Sequence, residues 1–154
     1  MELREILDAR SVSFLSGITS KKRLLQSDAE QAETVFGLNA RDIITALKER
    51  EDLGSTGVGR GVAIPHARFE GLDRVYGFFT RLEKPIDFDA VDKQPVDLFF
   101  TLLAPKTEGA EHLKALALVS RTLRSEDMCK ALRSNETSDS LLALLTQQTT
   151  FQAA

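Results

Sequence analysis

The run "PVDLFFTLLA", residues 95 to 104, limits the possible folds of this chain more than any other stretch. Apart from Asp97 and Thr101 it is continuously apolar, and it is too short for a helix of average length. Such a run is a strand covered on both faces, so it belongs near the centre of a sheet that has a layer on each side. The 154 residues suffice for one domain, which would bury roughly 70 % of the surface of its unfolded chain. With 42 % hydrophobic and 28 % charged residues there is enough apolar material for that core.

The remaining pattern supplies the layers. "RVYGFFTRL" (74 to 82) reads as a second strand and "SVSFLSGI" (11 to 18) as a third, half-buried one with Val12, Phe14 and Ile18 on one side. A helix follows Thr19 or Ser20 as N-cap, buries Leu25, Ala29, Ala32 and Phe36, and stops at Gly37. A second helix starts at Asn39, with Asp42 in capping position, buries Ile43, Ile44 and Leu47, and ends near Arg50. Between the two long strands, "EKPIDFDAVDKQP" reads as a solvated loop or ragged hairpin. From Thr107 onward, "EHLKALALVSRTL", "SEDMCKALRS" and "TSDSLLALLTQQ" are helical, each with a Thr or Ser near its start. The expected fold is an α/β single domain, a β-sheet with helices on both faces.

Charge and composition exclude several function classes. The 20 basic and 23 acidic residues leave a net charge of −3, so neither nucleic acid nor an anionic membrane is an expected partner. The longest apolar run, Leu98 to Ala104, falls far short of the ~18 residues of a membrane helix, and the acidic N-terminus is no signal peptide. The single cysteine, Cys129, forms no internal disulfide and suits a reducing compartment; the cytoplasm is the expected location. It lies in an amphipathic helix where packing is its expected role, and no GxSxG elbow provides a serine nucleophile. Neither a metal site nor a cofactor is expected: the two histidines and scattered carboxylates do not match a zinc ligand set.

What remains is "GSTGVGRGVAIPHAR", residues 54 to 68. Its glycines at 57, 59 and 61 lead into an extended segment, not a helix, which argues against the nucleotide-binding fingerprints. They serve either a tight turn or the close approach of another group. Pro65 pushes its predecessor out of the helical region and stiffens the backbone beside His66, which stands at or just past a strand end. A neutral imidazole whose other nitrogen is held as a donor can accept a phosphoryl group, and such transfer needs cations around the phosphoryl oxygens. Arg50 precedes the glycine segment, and Arg60 and Arg68 lie within it. Any of these arginines read singly is ordinary surface. The second histidine, His112, falls in the first turn of a helix, where unpaired amides favour an anion, though it could equally be an idle, partly exposed helix residue.

Taken together, "EREDLGSTGVGRGVAIPHAR", "PIDFDAVDKQPVDLFFTLLAP" and "EHLKALALVSRTL" resemble the enzyme IIA proteins of the phosphoenolpyruvate phosphotransferase system, and within them the nitrogen-regulatory branch of the mannitol/fructose type. The resemblance runs from about residue 5 to residue 147 within a single domain spanning 1 to 154. It implies the mannitol-type IIA fold, a mixed β-sheet flanked by helices on both faces. It also implies a phosphocarrier that takes a phosphoryl group from the phosphohistidine of an HPr-type protein onto His66. His112 and Arg50 match the family's supporting, phosphate-binding residues. Arg60 departs from the pattern, since a small residue, often glycine, is expected there.

The resemblance implies a regulator that binds target proteins according to its phosphorylation state. Two alternatives stay open: a IIA component of a fructose/mannitol-type transport system that passes the phosphoryl group to a IIB domain, and a binding module in which His66 is never modified.

Overall fold

A computed structural model describes residues 1–106 and 109–147. Six strands form one mixed sheet: β1 (Val12–Leu15), β2 (Gly57–Gly59), β3 (Val62–Ala63), β4 (His66–Phe69), β5 (Tyr76–Ile86) and β6 (Val96–Pro105). The helices are α1 (Leu3–Ile6), α2 (Lys21–Phe36), α3 (Ala40–Asp52), α4 (Gly109–Arg124), α5 (Glu126–Arg133) and α6 (Ser138–Thr146). The apolar run is the central strand. β6 pairs antiparallel with β5 on one edge, β5 pairs parallel with β1, and the other edge of β6 carries β3 and β4, both parallel to it. β2 closes that side as an antiparallel partner of β3.

Alternation along the strands separates two cores. Leu98, Phe100, Leu102 and Ala104 face the layer of α4, α5 and α6 with Ala115, Val119, Leu132 and Leu141. Phe99 and Leu103 face α2 and α3 with Leu24, Ala29, Ile43 and Leu47. A strand buried this way on both sides needs apolar residues at consecutive positions, which accounts for the absence of alternation in its sequence.

The helix boundaries follow their caps. Ser20 accepts from the Arg23 amide, Asn39 from the Asp42 amide, Ser125 from the Met128 amide and Thr137 from the Ser140 amide. Gly37, in the left-handed region at φ 71°, ends α2. Thr107, expected near the start of α4, and Gln148, expected in α6, lie outside the described residues.

Five points differ from the expectation. The segment 83 to 95 is not simply solvated: β5 extends to Ile86, which pairs with Val96 after a register shift, and Phe88 is fully buried against the Phe99 ring. Many acids in that segment masked its few core residues. The first strand ends at Leu15, before Ile18, and α3 runs to Asp52, past Arg50. The glycine segment contains a strand, β2, that no apolar pattern announces, and α1 was not expected at all, being only four residues long.

Candidate active site

β3 and β4 are one line of chain broken at Ile64 and Pro65. The register with β6 is the same before and after the break, Ala63 opposite Phe99 and His66 opposite Leu102. Pro65 has no amide hydrogen to give a neighbouring strand, yet its carbonyl accepts from the Leu102 amide at 2.9 Å. The Ile64 amide turns the other way and donates to the Thr56 carbonyl at 3.0 Å. That leaves the Ile64 carbonyl for the side chain two residues on: His66 Nδ1 lies 2.8 Å from it. A carbonyl can only accept, so Nδ1 carries the hydrogen and Nε2 the lone pair. His66 therefore opens a strand instead of closing one.

The imidazole is half-buried. Burial lowers its pKa below the ordinary histidine value, the hydrogen bond to Ile64 opposes that shift, and the nearby Arg50 guanidinium adds to it. Arg50, in the last turn of α3, is thus within electrostatic reach of His66, and its Nη1 donates to the Gly54 carbonyl at 2.9 Å. His112, the fourth residue of α4, is 7 % exposed and not the partly exposed helix residue that its sequence also allowed. Its ring centre lies 5.5 Å from that of His66. Burial foremost, then His66 and Arg68, push its pKa down to about 4, so it is neutral at pH 7. Its Nδ1 is buried without a hydrogen-bond partner among the described residues. A buried polar atom left unpaired calls for a partner, water or a bound group.

Of the residues singled out in the sequence, the structure places His112 beside His66 and Arg50 within electrostatic reach of it. Sequence reasoning left Arg60 undecided. The structure puts Arg60 in the β2–β3 turn at φ 58°, its amide donating to Asp92 and its exposed guanidinium 3.8 Å from Glu126 on α5. The left-handed backbone explains why a small residue or glycine suits this position. The turn is tied down from below: Arg133 pairs with Asp97 at 2.9 Å and donates to the Arg60 carbonyl at 3.0 Å. Gly61, at φ 78°, has no room for a side chain, since a Cβ there would stand 2.5 Å from the Arg133 guanidinium.

The residues that sequence reasoning missed are those that hold the segment in place. Glu51 is 7 % exposed and accepts from both the amide and the hydroxyl of Thr56, while the Lys21 ammonium pairs with it at 2.9 Å. Thr56 in turn receives the Ile64 amide, so a chain of hydrogen bonds runs from α2 and α3 to the carbonyl that orients His66. One signal was available. An acid in the last turn of a helix opposes the dipole there and calls for a compensating cation. Cys129 packs as expected, 7 % exposed with its thiol donating to the Leu123 carbonyl. Among the described residues no cluster of His, Cys, Asp or Glu could hold a metal ion, and no helix is long and apolar enough to cross a membrane.

The chain is similar to proteins of known sequence and structure. The chain is 47 % identical over 145 residues, covering 94 % of it and 95 % of the relative, to a nitrogen regulatory protein of Bradyrhizobium diazoefficiens. The crystal structure of nitrogen regulatory protein IIA-Ntr from Neisseria meningitidis superimposes with a TM-score of 0.86 at 36 % identity, covering 94 % of this chain and 99 % of that one. The crystal structure of mannitol IIA from Escherichia coli shares the fold, with a TM-score of 0.73 at 22 % identity, covering 90 % and 97 %. The family model for "Phosphoenolpyruvate-dependent sugar phosphotransferase system, EIIA 2" matches residues 5–148. With most of its length matched by that model and by a close relative, the chain belongs to the EIIA type 2 family of the phosphoenolpyruvate-dependent sugar phosphotransferase system.

Proposed function

We propose that the chain is a cytoplasmic histidine phosphocarrier. His66 Nε2 accepts a phosphoryl group from the phosphohistidine of an HPr-type protein, and Arg50 and His112 steady its oxygens. The single observation that carries this reading is the hydrogen bond from Nδ1 to the Ile64 carbonyl, which leaves the Nε2 lone pair free. In the transfer that lone pair forms a new nitrogen–phosphorus bond while the donor's nitrogen–phosphorus bond breaks. The bonding pair stays with the donor's ring nitrogen, and the Nδ1 hydrogen of His66 keeps its place. A neutral nucleophile is required, and the lowered pKa of His66 supplies it at pH 7. Cationic and hydrogen-bonding groups around the oxygens stabilise the charge in passage.

The regulatory half of the reading rests on the relatives, which are called nitrogen regulatory proteins, and on charge. A phosphoryl group adds up to about −2 to a chain whose net charge is −3. The test is to incubate the purified chain with labelled phosphoenolpyruvate and the upstream carriers. One label per chain is expected, lost in acid and stable in base, and absent from His66→Ala. An unlabelled wild type would leave the binding-module reading. Quantitative onward transfer to an added IIB domain would favour the transport reading.

A further inference from the structure

His66 and Arg68 are two residues apart on β4, and their register partners on β6, Leu102 and Ala104, both face the layer that contains α4. Ala67 between them turns to the opposite core. Both side chains therefore project toward the start of α4. There Gly109 leaves room: a Cβ on it would stand 2.8 Å from an Arg68 guanidinium nitrogen. The guanidinium is close enough to His112 to disfavour its protonated form, while the side chain is exposed and pairs with no carboxylate among the described residues. So a free cation, the first turn of α4 and the ring of His112, nine-tenths buried with its Nδ1 unpartnered, lie beside His66.

We propose that Arg68 is a second phosphoryl-binding cation, which meets the phosphoryl group on His66 from the α4 side while Arg50 meets it from the end of α3. The proposal rests on the phosphocarrier reading. The geometry behind it is a divided one: Arg50 is bound to its own loop through the Gly54 carbonyl, whereas Arg68 has its donors uncommitted among the described hydrogen bonds. A guanidinium offers a planar fork of donors suited to phosphoryl oxygens, and the bare Gly109 backbone lets that fork lie against the helix start. Once the group leaves, the Arg68 cation stands beside His112 and adds to burial in keeping its imidazole neutral.

The experiment uses Arg68→Gln, Arg68→Lys and Gly109→Ala, with the HPr-type donor phosphorylated from phosphoenolpyruvate. Arg68→Gln should shift the equilibrium of phosphoryl transfer about tenfold toward the donor, the size of effect expected for one charge-assisted hydrogen bond at a partly solvated site. Arg68→Lys should recover most of that shift, and Gly109→Ala, which displaces the guanidinium while keeping its charge, should reproduce part of it. In the unphosphorylated protein, titration of His112 by nuclear magnetic resonance should move up in Arg68→Gln, because a cation beside it is gone. An equilibrium equal to wild type overturns the proposal. A slower rate with an unshifted equilibrium also overturns it, since that result gives Arg68 a part in docking the donor and none in holding the phosphoryl group. A wild type that accepts no label at all overturns the phosphocarrier reading, and the proposal with it. That outcome is distinct from a labelled wild type matched by Arg68→Gln.

Discussion

At the scale of residues, chemistry here is set by which polar atoms are left over. The Ile64 carbonyl is spared by the break at Pro65 and spends itself on His66, and His112 Nδ1 is spared altogether. Because burial lowers the His66 pKa below the ordinary value of about 6.5, the rate of phosphoryl acceptance should fall as the pH drops and reach its half-maximal point below pH 6.5. Initial rates with excess phosphorylated donor, corrected for the donor's own profile, check this; a half-maximal point above 6.5 would contradict it. His112 affects stability as well. Its folded pKa, about 4, lies below its unfolded value, so the unfolded chain binds the extra proton, and stability present above about pH 6.5 is lost as the pH falls toward 4. His112→Asn should flatten that loss by on the order of 2 kcal/mol in urea titrations at pH 7 and pH 4.5. The two histidines were legible in the sequence because that residue type occurs only twice, whereas Arg50 stood out from the other arginines only through the family resemblance. Glu51, Thr56 and Arg68 were not, since a lone acid, threonine or arginine reads the same whether it is buried against a partner or solvated.

At the scale of elements, helices were read more reliably than the short strands around the site. Helix signals are local: Ser20, Asn39, Ser125 and Thr137 each satisfy an amide three residues further along the chain. β2 and β3 have only three and two residues, and their pairing partners are remote or lie across a turn made by Arg60 and Gly61, so no periodicity had room to appear. α2 also contains a residue whose state depends on the sheet beneath it. Asp28 is 1 % exposed, accepts from the Thr101 hydroxyl at 2.6 Å, and leaves its second oxygen without a partner among the described residues, as does Gln31 Oε1 one turn on. Burial raises its pKa to about 7, so the folded protein holds this proton more tightly than the unfolded chain, and the stability this confers is lost as the pH rises through 7. Asp28→Asn keeps an acceptor for Thr101 and removes the charge. Its melting temperature relative to wild type should be higher at pH 8.5 than at pH 5.5; equal differences at both would show that Asp28 does not titrate in this range.

At the scale of the whole molecule, two apolar layers on one sheet hold the ends of α3 and α4 on either side of the β3–β4 line, and so deliver Arg50 and His112 to one histidine. A dianionic group added there alters the charge of the face that partners would meet, and burying it without a counter-charge is costly. At least one partner should therefore prefer the unphosphorylated chain. Pull-downs from cytosol with wild type in both states and with His66→Ala check this: a set of proteins retained by His66→Ala and released by the phosphorylated form is expected, and identical sets would remove the switch. By itself the sequence determined the layered architecture and singled out His66, because a continuous apolar strand, capped amphipathic helices and a histidine set behind glycines and a proline are all local patterns. Only the tertiary structure decided which nitrogen of His66 is free, how deeply His112 is buried, that Glu51 and Lys21 anchor the segment, and that Arg68 rather than Arg60 turns toward the site. Those depend on the side on which each strand residue projects and on which distant groups meet there, and both are set by sheet register and packing across long sequence separations.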